Sequence, residues 1–479
     1  HQYKIKDINR TVLTTLNGGS SYGHKYIYEI SGNNTNGNAF IGFNNLQNLA
    51  FKHFTYSGGS PVEAISIVTD RKFLDQNAWY HIVVNWDTSQ SIASNRVKVF
   101  VNGIQETSFS EEVYPTQNLN LVIGSSYSPY GSGPMLTING SYNYSNSQNW
   151  EGYLTHVHSV DNQQLDPSVF GYTDATTGEW AINGAPSITY TGTSTYNFFL
   201  LKDGLTQTNP GYADEEVGNG NVNDWEVSYA YLNSTDSPNN VFASWDLMHV
   251  SKNSGDTNLF QDNTGDWESR YYNGMGNCTI SYWSPYTINY SSLAASSGKF
   301  YAEFKGHKPG SSPSTSAYVS FGISDGALGE QLCVQNSSNE IAYFSNGDLK
   351  QPSGTTSSYG SSFLGDNILG IAMDLDNMKL YFSINGVWQN SSNPSNGTNG
   401  LTIPVSKTGV YHFAAGNQAE HYDGIGHTDY NAYAMANFGQ GIFYKSAIST
   451  AGTNTSGNGI FEFDCPTGFT ALSTKGLNL

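Results

Sequence analysis

The sequence predicts an all-β fold: two antiparallel β-sandwich (jelly-roll) domains joined by an irregular, loop-rich connector. Three observations carry that prediction. Short apolar or alternating runs recur between turn residues in both halves of the chain. Three runs end in Asn-Gly, at Asn102-Gly103, Asn346-Gly347 and Asn385-Gly386, and Asn-Gly is the strongest short-range hairpin signal. Glycine is 51 of 479 residues, above the usual ~7%, as a fold of many tight turns requires.

The clearest stretch is Asn77 to Phe109. Trp79 to Trp86 is aromatic and β-branched, too short for a buried helix and bounded by turn residues, so it predicts a strand. After the polar turn Thr88 to Asn95, the run Arg96 to Val101 alternates. Val97, Val99 and Val101 share one face; Arg96, Lys98 and Phe100 share the other. Asn102-Gly103 then supplies the two positive-φ positions of a type I′ turn. Such a meander has one apolar face that it cannot hide alone, so a second sheet must cover it.

The other elements follow in order. Tyr3 to Lys6 alternates, and Thr11 to Leu16 is a candidate strand. Tyr26 to Ile30, Ala39 to Phe43, Leu49 to Thr55 and Ala64 to Val68 read as strands, as does Leu119 to Ile123. The Tyr-, Ser- and Gly-rich loop after Gly124 belongs at a sandwich edge. From Asp174 to Ser297 the pattern weakens to short apolar runs, Tyr196 to Leu201, Val227 to Leu232 and Val241 to His249. A structureless linker of that length is unexpected in a compact protein, so the region reads as an elaborated connector packed on its neighbours. Strands resume at Lys299 to Phe304, Tyr318 to Ile323 and Ile341 to Ser345. Ile368 to Leu375 and Met378 to Ile384 flank the turn Asp376-Asn377. The resulting domains are 1–172, a first sandwich; 173–296, the connector; 297–446, a second sandwich; and 447–479, a C-terminal segment.

Composition limits partners. The formal charge of −19 repels phosphate backbones and anionic membranes, so nucleic acid is excluded as a partner. No run of 18 apolar residues exists, so no membrane-spanning helix is expected. Aromatics make up 14% of the chain, which argues against disorder. Cys278, Cys333 and Cys465 are widely spaced, without a CxxC pair, and read as free thiols.

Two families are resembled. Trp79-Tyr80-His81-Ile82-Val83-Val84, then Arg96 to Gly103, then Trp150-Glu151-Gly152-Tyr153-Leu154, resemble the core of laminin-G-like (concanavalin-A-like) domains. The versions most similar are those of marine bacteriophage appendages. Asp166 to Gly171 and Thr176 to Trp180 resemble the exit segment of those versions. The domains resembled carry one or two further strands before the point where this match begins. Gly298-Lys299-Phe300-Tyr301, Gly322-Ile323, Gly365 to Ile371 and Leu380 to Trp388 resemble a SPRY domain, a sandwich usually used for binding. Ser237 to Asn240 and Gly457 to Pro466 resemble the connector and tail of the same phage proteins. The resemblance implies a virion surface protein such as a tail fibre, spike or capsid decoration, made in the bacterial host cytoplasm. It implies other virion proteins as partners and a homo-oligomer, with a trimer favoured.

The chemistry legible in the residues is sparse. Glycoside hydrolysis by a laminarinase-type sandwich needs Glu-x-Asp-x-x-Glu on one strand, and no such spacing occurs. Glu111-Glu112 and Asp214-Glu215-Glu216 read as loop carboxylates, and Asp374-Leu375-Asp376 as solvated residues at a hairpin turn. No Gly-x-Ser-x-Gly elbow exists, so no catalytic residue is assigned. His156 and His158 stand two apart in a stretch that reads as strand, hence on one half-buried face. His412, His421 and His427 surround Glu420, Asp423 and Asp429, an ordered insertion in this reading. Laminin-G-like domains often hold Ca²⁺ at a rim, but no Asp aligns to that role, so no metal or cofactor is assigned.

The natural ligand is a host surface polysaccharide, because Tyr and Trp faces stack on sugar rings while Asn and Asp bond hydroxyls. Tyr127, Tyr130, Tyr142, Tyr144 and Trp150 form the candidate glycan patch, with Tyr422 and Tyr430 a second one. The alternatives are a secreted lectin or glycoside hydrolase of the same fold, and a cellular protein that holds a peptide on its SPRY-like sandwich.

Overall fold

A computed structural model describes residues 2–7, 24–31, 38–44, 46–57, 60–74, 78–121, 135–138, 151–160, 163–175, 178–183, 186–188, 198–200, 236–251, 277–280, 288–307, 319–327, 339–352, 356–363, 366–417, 432–443 and 446–478. Its only helices among these are single 3₁₀ turns; the rest of the regular structure is β. The chain divides into two compact units, His1–Asn233 and Ser234–Leu479. The boundary falls within the stretch expected to be a connector.

Unit 1 contains β1 (Gln2–Asp7), β2 (His24–Ser31), β3 (Asn38–Asn44), β4 (Asn48–Ser57), β5 (Ser60–Lys72), β6 (Trp79–Trp86), β7 (Val97–Val101), β8 (Ile104–Gln105), β9 (Phe109–Val113), β10 (Met135–Ile138), β11 (Glu151–Thr155), β12 (Val157–Ser159), β13 (Gly171–Thr173), β14 (Trp180–Ile182) and β15 (Phe198–Leu200). A five-stranded sheet has the order β11-β1-β6-β7-β8, and a six-stranded sheet the order β10-β2-β3-β4-β5-β9. The meander forms as expected. Val97, Val99 and Val101 are buried while Lys98 and Phe100 are half-buried, and Asn102 and Gly103 take φ of 49° and 76°.

The three valines and Ile82 pack against Ile41, Phe43, Phe51 and Ile67 of the facing sheet. Each such side chain contributes about 1.5–3 kcal/mol by leaving water. Arg96 closes the polar turn by donating to the carbonyls of Gln90 and Ser91 and, at 2.7 Å, Pro115. β15 pairs with β12, so the run near Tyr196 to Leu201 does hold a strand.

Two expectations fail here. Leu119–Leu121 is irregular, because Leu119 N–H turns back to the Thr116 carbonyl and Asn118 adopts a φ of 61°; residues 122 and 123 lie outside the described residues. Glu111 and Glu112 are not in a loop. They lie on β9, which leaves the meander's sheet to pair with β5, and alternation turns them to opposite faces.

Unit 2 contains β16 (Trp245–Ser251), β17 (Asn277–Ile280), β18 (Ile288–Ser291), β19 (Lys299–His307), β20 (Val319–Ser324), β21 (Ile341–Phe344), β22 (Asp348–Lys350), β23 (Thr356–Ser358), β24 (Leu369–Asp374), β25 (Lys379–Ile384), β26 (Val387–Trp388), β27 (Leu401–Thr402), β28 (His412–Asn417), β29 (Ala432–Asn437), β30 (Ile442–Phe443), β31 (Ser446–Ala447) and β32 (Thr470–Ala471). A seven-stranded sheet, β16-β18-β28-β20-β21-β22-β23, faces a sheet built on β17-β29-β19-β24-β25-β26, to which β27 and β32 add. Phe304, Ile371 and Phe382 of one sheet meet Phe321, Tyr343 and Phe413 of the other in one core. The Asn385-Gly386 turn is again of the doubly positive-φ kind, at 48° and 77°.

The carboxylates at the Asp376-Asn377 turn are not both solvated, as expected. Asp374 is buried, pairs with Lys299 at 3.0 Å and accepts from the Asn377 amides, whereas exposed Asp376 accepts from Gly298 N–H. Cys465 is a free, buried thiol, as expected. Cys333, the strand expected at Thr11 to Leu16 and that at Val227 to Leu232 lie outside the described residues.

Candidate functional site

In each sandwich a returning segment lies over the outer face of a sheet. In unit 1 the odd residues of β6, His81, Val83 and Asn85, point away from the inter-sheet core, whose packing uses Ile82, Val84 and Trp86. The described residues of 157–160, 163–175 and 178–182 cover them. Their path is set locally. Asp166 caps a 3₁₀ turn by accepting from Ser168 N–H at 2.9 Å, with Pro167 at the first helical position. Gly171–Thr173 and Trp180–Ile182 then form a hairpin.

Trp180 fixes this cover. Its indole N–H donates to His81 Nδ1 at 3.0 Å, and the rings stack 5.7 Å apart. Its ring lies over the type I′ turn so closely that a Cβ on Gly103 would come within 2.2 Å of it. Asn102 completes the arrangement by accepting from His81 N–H at 2.8 Å. Because Nδ1 accepts, His81 must be the neutral tautomer with its proton on Nε2. Burial, with the nearby imidazoles of His158 and His156, pushes its pKa down to about 2. His158 stacks obliquely on Phe170 and is pushed down to about 3, chiefly by burial.

The two histidines do not share one strand face, as their spacing led one to expect. His156 has a φ of 50° and separates β11 from β12, so the alternation breaks between them. Among the described residues no three His, Cys, Asp or Glu side chains are placed to hold a metal ion.

A cleft opens beside β6, lined by Asn85 and Trp86, by His158, Leu165 and Phe170 of the cover and by Tyr28 and Ile41 of the facing sheet among others, with a volume of about 60 Å³. Drug-sized ligands need about 300 Å³ or more, so the cleft admits water or a small substituent, not a sugar ring. Asn85 spends its amide N–H on the Leu165 carbonyl at 2.8 Å, which ties the cover to β6.

The predicted glycan residues Tyr127, Tyr130, Tyr142, Tyr144 and Trp150 all lie outside the described residues. So do Tyr422, Tyr430, His421, His427, Glu420, Asp423 and Asp429, and the carboxylates at 214–216. His412 is described: it lies on β28, with Nδ1 2.8 Å from the Ser291 carbonyl.

Several of the described carboxylates pair with cations. Glu106 meets Arg71 at 2.6 Å, and buried Glu340 meets Lys350 at 3.4 Å. Glu63 and Glu111 converge, but on the Lys52 ammonium, at 2.9 and 2.7 Å. The Lys52 ammonium thus pairs with both carboxylates. No motif announced this triad, because its members lie on three strands; Ser66 adds a hydrogen bond to Glu111 at 2.6 Å.

Residues 15–162 match a laminin-G family model, described as the Concanavalin A-like lectin/glucanases superfamily. The chain is similar to the crystal structure of the SPRY domain of human HERC1, at 12% identity and a TM-score of 0.24, over 34% of this chain and 87% of that one. It is similar also to a stonustoxin structure, at 13% identity and a TM-score of 0.26, over 41% of this chain and 27% of that one. No curated protein matches the chain. Unit 1 thus carries a concanavalin-A-like domain, and the molecule is all-β throughout its described residues.

Proposed function

We propose that the chain is a non-enzymatic structural protein of a bacteriophage particle, such as a tail fibre, spike or capsid decoration, that contacts host surface glycan through its first sandwich. The reading rests on one observation: a laminin-G-like sandwich, a connector, a SPRY-like sandwich and a C-terminal segment follow in the order of the phage proteins resembled. The matched concanavalin-A-like domain supports the glycan part. The pairing of both Glu63 and Glu111 with Lys52 supports the non-enzymatic part, since general acid–base chemistry on a sugar needs two free carboxyls flanking the bond. Its partners are other virion proteins and further copies of itself, a trimer first among the oligomers.

Mass spectrometry and antibody labelling of purified particles test the location; absence of the protein from particles removes the reading. A glycan array with the full chain tests the ligand. Replacing Tyr127, Tyr130, Tyr142, Tyr144 and Trp150 with Ala should abolish any signal, and an unchanged signal moves the site elsewhere. A second reading, a secreted glycan-binding lectin or hydrolase, is favoured by the family description. A reducing-sugar assay on host polysaccharide separates the hydrolase from both binding readings.

A further inference from the structure

Residues 458–473 carry one two-residue strand, Thr470–Ala471, yet they are held tightly to unit 2. Phe461, Cys465 and Phe469 bury against Tyr301 and Tyr381 on the outer face of the sheet. At the centre of that contact lies Glu303 on β19, fully buried. Its Oε1 accepts from Phe463 N–H at 2.8 Å and from the Tyr301 hydroxyl at 3.2 Å. Its Oε2 accepts from Glu462 N–H at 2.8 Å and from the Asn437 amide at 3.2 Å. Two of the four donors thus belong to the segment itself, and the segment is what removes this carboxyl from water. Without it, Glu303 would stand on an open sheet surface.

We propose that the C-terminal segment is a proton-linked clasp: closing it over β19 and β29 takes up a proton at Glu303, so it tightens at acidic pH and loosens at alkaline pH. The geometry provides for the added proton. Ser383 Oγ is buried and lies in hydrogen-bonding contact with the Tyr301 hydroxyl. It lies beside the Tyr301 hydroxyl: a Cβ built on Gly370 would lie 2.4 Å from the one and 2.7 Å from the other. When Glu303 is ionised, Tyr301 donates to it and the Ser383 O–H donates to the Tyr301 oxygen. When Glu303 is protonated, its O–H donates to the Tyr301 oxygen, and the Tyr301 O–H turns to Ser383. The Ser383 hydroxyl, able to donate or to accept, is the end of that relay.

Burial pushes the Glu303 carboxyl from an ordinary 4.5 up to about 7, against the pull of its four donors. Burial holds Tyr301 well above its usual range and Cys465 up at about 12. The hydroxyl and N–H of Thr453 hold Asp464 below the ordinary carboxylate range. Lys299, over the Phe469 ring, is paired with Asp374, and the Glu462 carboxyl faces away to Ser449. The β24, β25 and β29 positions beside Glu303, namely Gly370, Ser383 and Asn437, carry no charge.

The sign follows. The closed state binds the proton between pH 4.5 and about 7 and the open state does not, so closing weakens as pH rises, by up to about tenfold per unit. Hydrogen exchange of the full chain, read on peptides spanning Glu462 and Phe463 and corrected for intrinsic rate, tests this. Protection there should fall by about a hundredfold from pH 5 to pH 8, while β24 keeps its protection. E303Q, which cannot ionise, should show lower protection without that slope. A flat wild-type profile, or the same slope in E303Q, overturns the clasp. Should E303Q fail to fold, Ser383→Ala carries the test: losing the relay's end should move the transition to lower pH, and an unmoved transition overturns the assignment.

Discussion

The two sandwiches close alike and respond to protons in opposite ways. In each, a segment returns over the outer face of a sheet and is held by one buried titratable side chain from a central strand. In unit 1 that side chain is His81, accepting from Trp180; in unit 2 it is Glu303, accepting from Glu462 and Phe463. Each cover also presses on an Asn-Gly turn. Trp180 lies over Gly103, and Phe463 over Gly386. Burial favours the neutral form of both anchors, but neutral means deprotonated for an imidazole and protonated for a carboxyl. The same desolvation therefore pushes His81 down to about 2 and Glu303 up to about 7. Only the second crosses its titration near neutrality.

The largest expected effect that probes this parallel is Trp180→Ala. It removes the ring that covers Gly103 and Gly171 and leaves His81 without its donor, so unit 1 should lose about 3 kcal/mol in denaturant melts. If the cover contributed nothing, the loss would stay within ~0.5 kcal/mol.

Next is pH. His81 is depressed in the folded state, so the unfolded chain binds more protons below pH 6.5. Stability from this residue is then full above that pH and falls by about 2 kcal/mol between pH 7 and pH 5. His158 and His53, held down by burial at about 3 and about 4, act in the same direction. Amide protection at Ala181 and Asn183 should therefore fall toward acid while protection at Phe463 rises. Parallel slopes in the two units would break the comparison.

A finer test uses the two turns. Gly103 and Gly386 have nearly equal φ, 76° and 77°, so Ala costs similar backbone strain at either, about 1 kcal/mol. The added Cβ would lie 2.2 Å from the Trp180 ring in one case and 2.8 Å from Phe463 in the other. Gly103→Ala should thus cost about 2 kcal/mol and Gly386→Ala about 1 kcal/mol, the difference reporting how firmly each cover is seated. The smallest effect is expected of Glu111→Gln, because that carboxylate is 49% exposed and salt screens it. About 0.5 kcal/mol, vanishing at high salt, would mark the Lys52 triad as a surface ion pair.

What could be read in advance was what depends on neighbouring residues. The Val97–Val99–Val101 alternation, the two type I′ turns and most strands rest on local side-chain order. The covers were half legible: Asp166-Pro167 and the run to Trp180 marked an exit segment, without a sign that Trp180 would meet His81, 99 residues away. The glycan patch was chosen on residue type, and its members lie outside the described residues. Glu303 drew no attention, because a Glu inside an alternating strand looks like any outward-facing residue. Glu111 and Glu112 looked like a loop because two adjacent charges resemble a solvated turn.

By itself the sequence determined the all-β class, the hairpins and the faces, since the two-residue period of a strand and the positive φ of Asn-Gly turns are properties of adjacent residues. The tertiary structure alone decided that β9 crosses to the opposite sheet, that His156 breaks its strand, and which outward-facing side chains end up buried. Those outcomes turn on which distant segment arrives to cover a face, and desolvation, which sets the charge of His81 and Glu303, exists only once it has arrived.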